Sequence, residues 1–134
     1  MIGVIICTHS DFAKGLKNAC EMIAGPQEAL KAVCFMGDEQ ITELGERLAE
    51  ESKEFEDGCV FVVDLENATP FNASLMAIAY TESVVLSGAS MPMLLELLSA
   101  RTGFAGTPEE LVTGVLALQS CFVSMKRSRD VFTD

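Results

Sequence analysis

The chain carries a single histidine, His9, so any imidazole chemistry runs through that residue. It stands in Thr8-His9-Ser10, directly after the apolar run MIGVIIC. Near pH 7 a neutral imidazole is a nucleophile, and a carboxylate bonded to one ring nitrogen fixes the tautomer that frees the other to attack. Asp64, which follows the apolar run CVFVV, is placed to supply that carboxylate. A few residues later Thr69-Pro70 brings a hydroxyl and a backbone N–H to a helix start, where unpaired amides and the helix dipole attract an anion. A phosphoryl group is the anion that suits this set. Each residue also has a plainer reading: a histidine beside a helix start with its hydrogen bonds satisfied, and an acid capping the turn after a strand. No Walker-type glycine loop is present, so tight nucleotide binding is not indicated.

The elements that must position these groups follow from the apolar pattern. Residues 1–7 form a short β-branched run suited to a strand covered on both faces, ending at Thr8. From Asp11 to Ala24, Phe12, Leu16, Ala19, Met22 and Ile23 recur at helical steps, and Gly25-Pro26 closes the helix. A strand over Leu30–Phe35, an acidic helix from Asp38 to Phe55 with Ile41, Leu44, Leu48 and Phe55 inward, and a strand over Cys59–Val63 come next. Pro70 opens a helix to about Tyr80, and a valine-rich strand spans Glu82 to Ser87. A Met-Leu-rich helix then ends near Arg101. Thr107-Pro108-Glu109-Glu110 starts a last helix that reaches about Ser120, with a capping hydroxyl, proline at the first position and acids at the positive end of the dipole. Cys121 to Met125 reads either as final helical turns or as a short strand, and the tail from Lys126 as frayed.

Strands alternating with helices of this length predict an α/β fold: a doubly wound, mainly parallel four-stranded sheet with helices on both faces. In such sheets ligands bind outside the carboxyl ends of the strands. That is where His9 and the Asp64 loop fall.

A length of 134 residues, 49% of them hydrophobic, is enough for one domain with a packed core, so residues 1–134 are expected to form a single unit. Twenty acidic against nine basic residues give a net charge of -11, which repels polyanions; nucleic acid and anionic membrane surfaces are not expected partners. The five cysteines are odd in number, without a C-x-x-C pair or metal-ligand spacing, and sit in apolar runs like buried thiols of a reducing compartment. No cleavable signal and no spanning segment is read, so a cytoplasmic protein is expected.

The segments IGVIICTHSDFAKGLKNACEMIAG and VFVVDLENATPFNAS, with the F-x-G-D segment at Phe35 to Asp38, the MPMLLELL helix and the P-E-E-L helix, resemble the IIA components of the mannose family of the phosphoenolpyruvate-dependent sugar phosphotransferase system. The resemblance implies that His9 accepts a phosphoryl group at Nε2 from the phosphohistidine of HPr and passes it to a IIB component, with membrane IIC and IID subunits engaged only indirectly. It implies that Asp64 bonds the other ring nitrogen, and that Leu65 through its backbone N–H and Thr69 through its hydroxyl and N–H hold the phosphoryl oxygens. Met22 and Phe35 match partner-docking positions, which core packing would equally explain. The family is homodimeric and exchanges a final antiparallel strand, here Cys121 to Met125. No metal and no cofactor is implied.

The chain departs from the family twice. Asn67-Ala68 stands where a Gly-Gly pair is usual, and asparagine tolerates left-handed backbone angles whereas alanine does so poorly. Ser10 replaces the usual glycine after the histidine and brings a hydroxyl able to cap the helix or touch the phosphoryl group. Two other functions compete: a regulatory, receiver-like binding module in which Asp64 is the phosphoacceptor, and the phosphotransfer subunit of a dihydroxyacetone kinase system. Phosphate lability separates the first, and delivery to a IIB partner separates the second.

Overall fold

The computed structural model describes residues 1–80 and 82–131, with nothing said of the side chain of Tyr80. Four strands, β1 (Gly3–His9), β2 (Leu30–Phe35), β3 (Cys59–Val63) and β4 (Ser83–Ser87), form one all-parallel sheet in the order β2-β1-β3-β4. Between them run α1 (Phe12–Ala24), α2 (Ile41–Ser52) and α3 (Thr69–Ala77), and after β4 come α4 (Met91–Arg101), α5 (Pro108–Leu116) and the short α6 (Ser128–Val131). The chain leaves β1 for one neighbour, β2, and then returns past it to the other, β3. The order therefore reverses between β1 and β3, and the loops that leave these two strands flank the crevice where ligands of such sheets bind.

Strand alternation sorts the core into two layers. Val4 and Ile6 face Leu16 and Cys20 of α1, Leu94 and Leu97 of α4, and Leu111 and Val115 of α5. Ile5, Cys7, Phe61 and Val63 face Leu44 and Leu48 of α2 and Ala73 and Ala77 of α3. His9 has the parity of Ile5 and Cys7, so it belongs to the α2/α3 side. Covering both faces is what permits the unbroken apolar runs of β1 and β3.

Several boundaries move from their expected places. β1 extends through His9, because the ladder with β2 continues to the pair His9–Phe35. The buried stripe of α1 is Ala13, Leu16 and Cys20; Phe12, Met22 and Ile23 face solvent. α2 begins at Ile41, not Asp38, because Gln40 and Glu43 form a reciprocal capping box there, and Ile41 itself is exposed. The helix that opens at Thr69 ends at Ala77 and passes into a 3-10 turn, Ile78–Tyr80. α5 starts as expected, with Glu110 N–H donating to Thr107 Oγ1 at 3.2 Å and Thr107 N–H to Glu110 Oε1 at 3.0 Å, but stops at Leu116.

Within this one chain Cys121 to Met125 is neither a continuation of α5 nor a strand of the sheet. A 3-10 turn at Gln119–Cys121 leads into bends, Val123 and Met125 are exposed, and among the described residues no fifth strand joins the sheet. The tail read as frayed forms α6 at Ser128–Val131, while 132–134 lie outside the described residues. No helix of the described residues is long and apolar enough to cross a membrane.

At the amino end of the sheet Arg101, the last residue of α4, is only 2% exposed. Its Nη1 donates to the carbonyls of Ile2 and Ala29, each at 2.9 Å, and its Nη2 to that of Glu28. One side chain thus ties a helix end to the starts of β1 and β2.

Candidate functional site

The strand ends build the site from the backbone outward. His9 is the last residue of β1, and Ser10 turns the chain away with φ +55, its N–H donating to the Phe35 carbonyl at 2.7 Å. That bond carries the β1–β2 ladder one step past the histidine. On the other side, β3 ends at Val63 and Asp64 follows at once. Asp64 Oδ2 accepts from the His9 backbone N–H at 3.1 Å and lies 2.9 Å from His9 Nδ1.

An ionised carboxylate only accepts, so Nδ1 carries the hydrogen and Nε2 keeps the lone pair. The His9 side chain is 45% exposed and that of Asp64 19%, so the imidazole is accessible while the carboxylate beside it is mostly sheltered. The Phe35 ring stands edge to face with the imidazole, centroids 5.9 Å apart and planes at 75°.

The loop after Asp64 prepares a helix start. Asn67 takes φ +66, a conformation that asparagine accepts, whereas Ala68 is extended at φ -99 and ψ 176. The Asn-Ala pair therefore meets the backbone demand with the residue suited to it, and the alanine is never asked for a left-handed angle. Ala68 is the N-cap of α3 and has no side-chain oxygen, so the first-turn amides lack a side-chain cap. Asn72 steadies this turn, its N–H donating to Ala68 O at 2.9 Å and its side-chain amide reaching Asn67 O at 3.5 Å. Uncapped amides at the positive end of a helix form an anion site.

Of the residues expected in the site, the structure brings His9 and Asp64 into direct contact and sets Thr69 at the first position of α3 on the adjacent loop. Leu65 is 61% exposed in that loop, and Ser10 lies in the turn beside the histidine. Met22 is 88% exposed on the outer face of α1, so the core-packing reading of it is excluded. Phe35 is half-buried against the α2/α3 layer. Among the described residues no three His, Cys, Asp or Glu side chains group as metal ligands.

Sequence reasoning missed what lies around the strand ends and beneath the histidine. A cleft of about 630 Å³ at the end of β2 is lined by Asp11, Lys14, Cys34, Met36, Asp38, Glu39 and Arg47, with Arg47 paired to Glu39 at 3.0 Å. Cys7, one step inward on the face of His9, is wholly buried, and that burial pushes its thiol up to about 12, against the partial relief of the nearby Arg47 charge. It is a packing group and not a second nucleophile. No sequence signal marks the Arg47–Glu39 pair, which depends on how α2 lies against the loop before it.

A doubly wound sheet that sets one carboxylate-bonded imidazole beside a helix start without a side-chain cap defines a class of α/β proteins with an anion-accepting edge. The chain belongs to the family whose model is described as "PTS system fructose IIA component", matched over residues 3–115, where PTS is the phosphotransferase system. It is 38% identical over 108 residues to the PTS system fructose-specific EIIA component of Bacillus subtilis, covering 78% of this chain and 74% of that protein. It is 32% identical over 103 residues to the mannose-specific EIIAB component of Escherichia coli, covering 75% of this chain but only 32% of that longer protein. The crystal structure of the EIIA component from Streptococcus agalactiae superposes with a TM-score of 0.84 at 30% identity, covering 93% of this chain and 97% of that one. Membership assigns the chain to the sugar-transport phosphotransferase components.

Proposed function

We propose that the chain is a phosphocarrier of the phosphoenolpyruvate-dependent phosphotransferase system, in which Nε2 of His9 accepts a phosphoryl group from phospho-HPr and hands it to a IIB component during sugar uptake. The observation that carries this reading is the 2.9 Å contact between His9 Nδ1 and Asp64 Oδ2, which leaves Nε2 as the free nucleophile. In the forward step the P–N bond of the donor phosphohistidine breaks as the Nε2–P bond forms, and Nδ1 keeps its hydrogen toward Asp64. The positive charge gained by the ring is matched by that carboxylate. The uncapped first turn of α3, the Leu65 N–H and the Thr69 hydroxyl and N–H receive the phosphoryl oxygens, with the Ser10 hydroxyl beside them. Such transfer rests on positioning and electrostatics, so the site needs no metal or cofactor of its own.

The partners in this proposal are HPr and a IIB component, with Met22 in the docking surface for them, and the membrane IIC and IID subunits downstream. The chain works as one domain, in the cytoplasm, as a homodimer in which Cys121 to Met125 pairs with the open β4 edge of a second copy. The alternative in which Asp64 itself is phosphorylated is disfavoured by its geometry, since Oδ2 is engaged by both His9 donors and Oδ1 is buried. Incubation with phosphoenolpyruvate, enzyme I and HPr should label the wild type with phosphate that is lost in acid and survives alkali. Label retained by His9→Ala, or label lost in alkali, would sink the assignment.

A further inference from the structure

We infer that Phe35 is a positioning residue for the His9 imidazole, acting within this chain and not only as a contact for a partner; the inference rests on the proposed role of His9. The imidazole turns about χ1 and χ2, and the single hydrogen bond at Nδ1 to Asp64 narrows these two torsions without fixing both. A second contact on a different edge is needed to aim Nε2. Phe35 supplies it through its edge-to-face packing at 5.9 Å and 75°.

Three features make that contact a built one. His9 and Phe35 are register partners in the parallel ladder, so their side chains leave the sheet on the same face. The Ser10 N–H to Phe35 O bond of 2.7 Å ties the backbone of the phenylalanine to the turn that follows the histidine. The ring is half-buried among the side chains of the α2/α3 layer, which holds it in place from behind. Asp64 and Phe35 thus approach the imidazole from the two strands that flank β1.

A small phosphoryl donor separates positioning from docking because it needs no protein surface. With phosphoramidate, the donor P–N bond breaks, the Nε2–P bond forms, ammonia leaves, and Nδ1 keeps its hydrogen. Phosphohistidine formation would be followed by 31P NMR in wild type, Phe35→Leu, Phe35→Met and Phe35→Tyr, with His9→Gln as the blank. Loss of the ring in the leucine and methionine variants is expected to slow labelling by about 10-fold or more, whereas tyrosine restores it to near the wild-type rate.

A second readout is independent of phosphorylation. With one histidine in the chain, long-range 1H–15N spectra report a single imidazole. The wild type is expected to show the Nδ1–H tautomer, and the ringless variants a mixture. Wild-type labelling rates and unchanged imidazole shifts in both ringless variants would overturn the inference. A wild type that takes no label at His9 while Phe35→Leu still perturbs the tautomer would instead reject the phosphocarrier reading and leave the positioning role standing.

Discussion

His9 and Asp64 meet through a single oxygen: both the backbone N–H and Nδ1 of the histidine converge on Asp64 Oδ2, at 3.1 and 2.9 Å. The other oxygen, Oδ1, is buried and has no partner among the described residues. One atom therefore fixes the end of β1 and the tautomer of its ring together, and loss of that oxygen acts on both.

Asp64→Asn tests the charge separately. Its amide oxygen, set in the place of Oδ2, still accepts from both His9 donors, so the strand end is kept, but the carboxylate charge is gone. The positive charge that the ring gains on phosphorylation is then left without its counter-ion. Phosphorylation by phospho-HPr should fall by about 100-fold or more with little change in melting midpoint, measured as the rate of label incorporation. A wild-type rate would remove Asp64 from the site.

Loop chemistry and loop strain are separable at two neighbouring positions. Thr69→Ala removes the hydroxyl proposed to donate a hydrogen bond to the phosphoryl group and should slow transfer by about 10-fold or more without loss of stability. Asn67 holds φ +66, so Asn67→Ala should cost about 1 kcal/mol in denaturant unfolding, while Asn67→Gly should be close to neutral. Equal destabilisation by both Asn67 variants would show that the side chain matters more than the backbone angle.

Arg101 is a stability prediction remote from the site. Arg101→Met would leave the carbonyls of Ile2, Glu28 and Ala29 without the guanidinium, although Ala29 O retains the Val4 N–H at 2.9 Å. Unfolding free energy should drop by about 3 kcal/mol. The labelling rate of the fraction that remains folded should be unchanged.

The thiols give a pH prediction. Burial pushes Cys7 and Cys59 up to about 12 from an ordinary 9.0, so both stay protonated at pH 8. Iodoacetamide should therefore modify the exposed Cys121 in native protein and reach Cys7 and Cys59 only after unfolding, as read by mass spectrometry. The sign for stability follows. Above about pH 9 the unfolded chain loses thiol protons that the folded chain keeps, so these two groups lower stability as pH rises from about 9 toward 12. Alkylation of Cys7 at native pH at the rate of Cys121 would contradict the buried placement.

Strands were legible because β1 and β3 are unbroken apolar runs, a pattern only a sheet covered on both faces needs, and the meeting of His9 with Asp64 was legible because polar residues begin where those runs stop. The buried face of α1 was not. Apolar residues in that helix outnumber the positions the sheet covers, so Phe12, Met22 and Ile23 fit the same periodicity as the true stripe of Ala13, Leu16 and Cys20. Arg101 reads from sequence as a cation at the C-terminal end of a helix. Its burial depends on carbonyls from strands far away in the chain, which no local pattern encodes. The packing of Phe35 on His9 likewise needs the β1–β2 register, a one-residue choice that the apolar run leaves open.

β1 is paired along both edges and buried from Ile2 to Thr8. Amides in such a strand exchange with solvent only when the whole domain opens, unlike those of a loop that breathes on its own. His9 closes this strand, paired to Phe35 on one edge and held by Asp64 through its N–H on the other, so its geometry is tied to the same cooperative unit. Carrier activity and the fold should then disappear in the same transition, with no partly unfolded form that has lost one and kept the other.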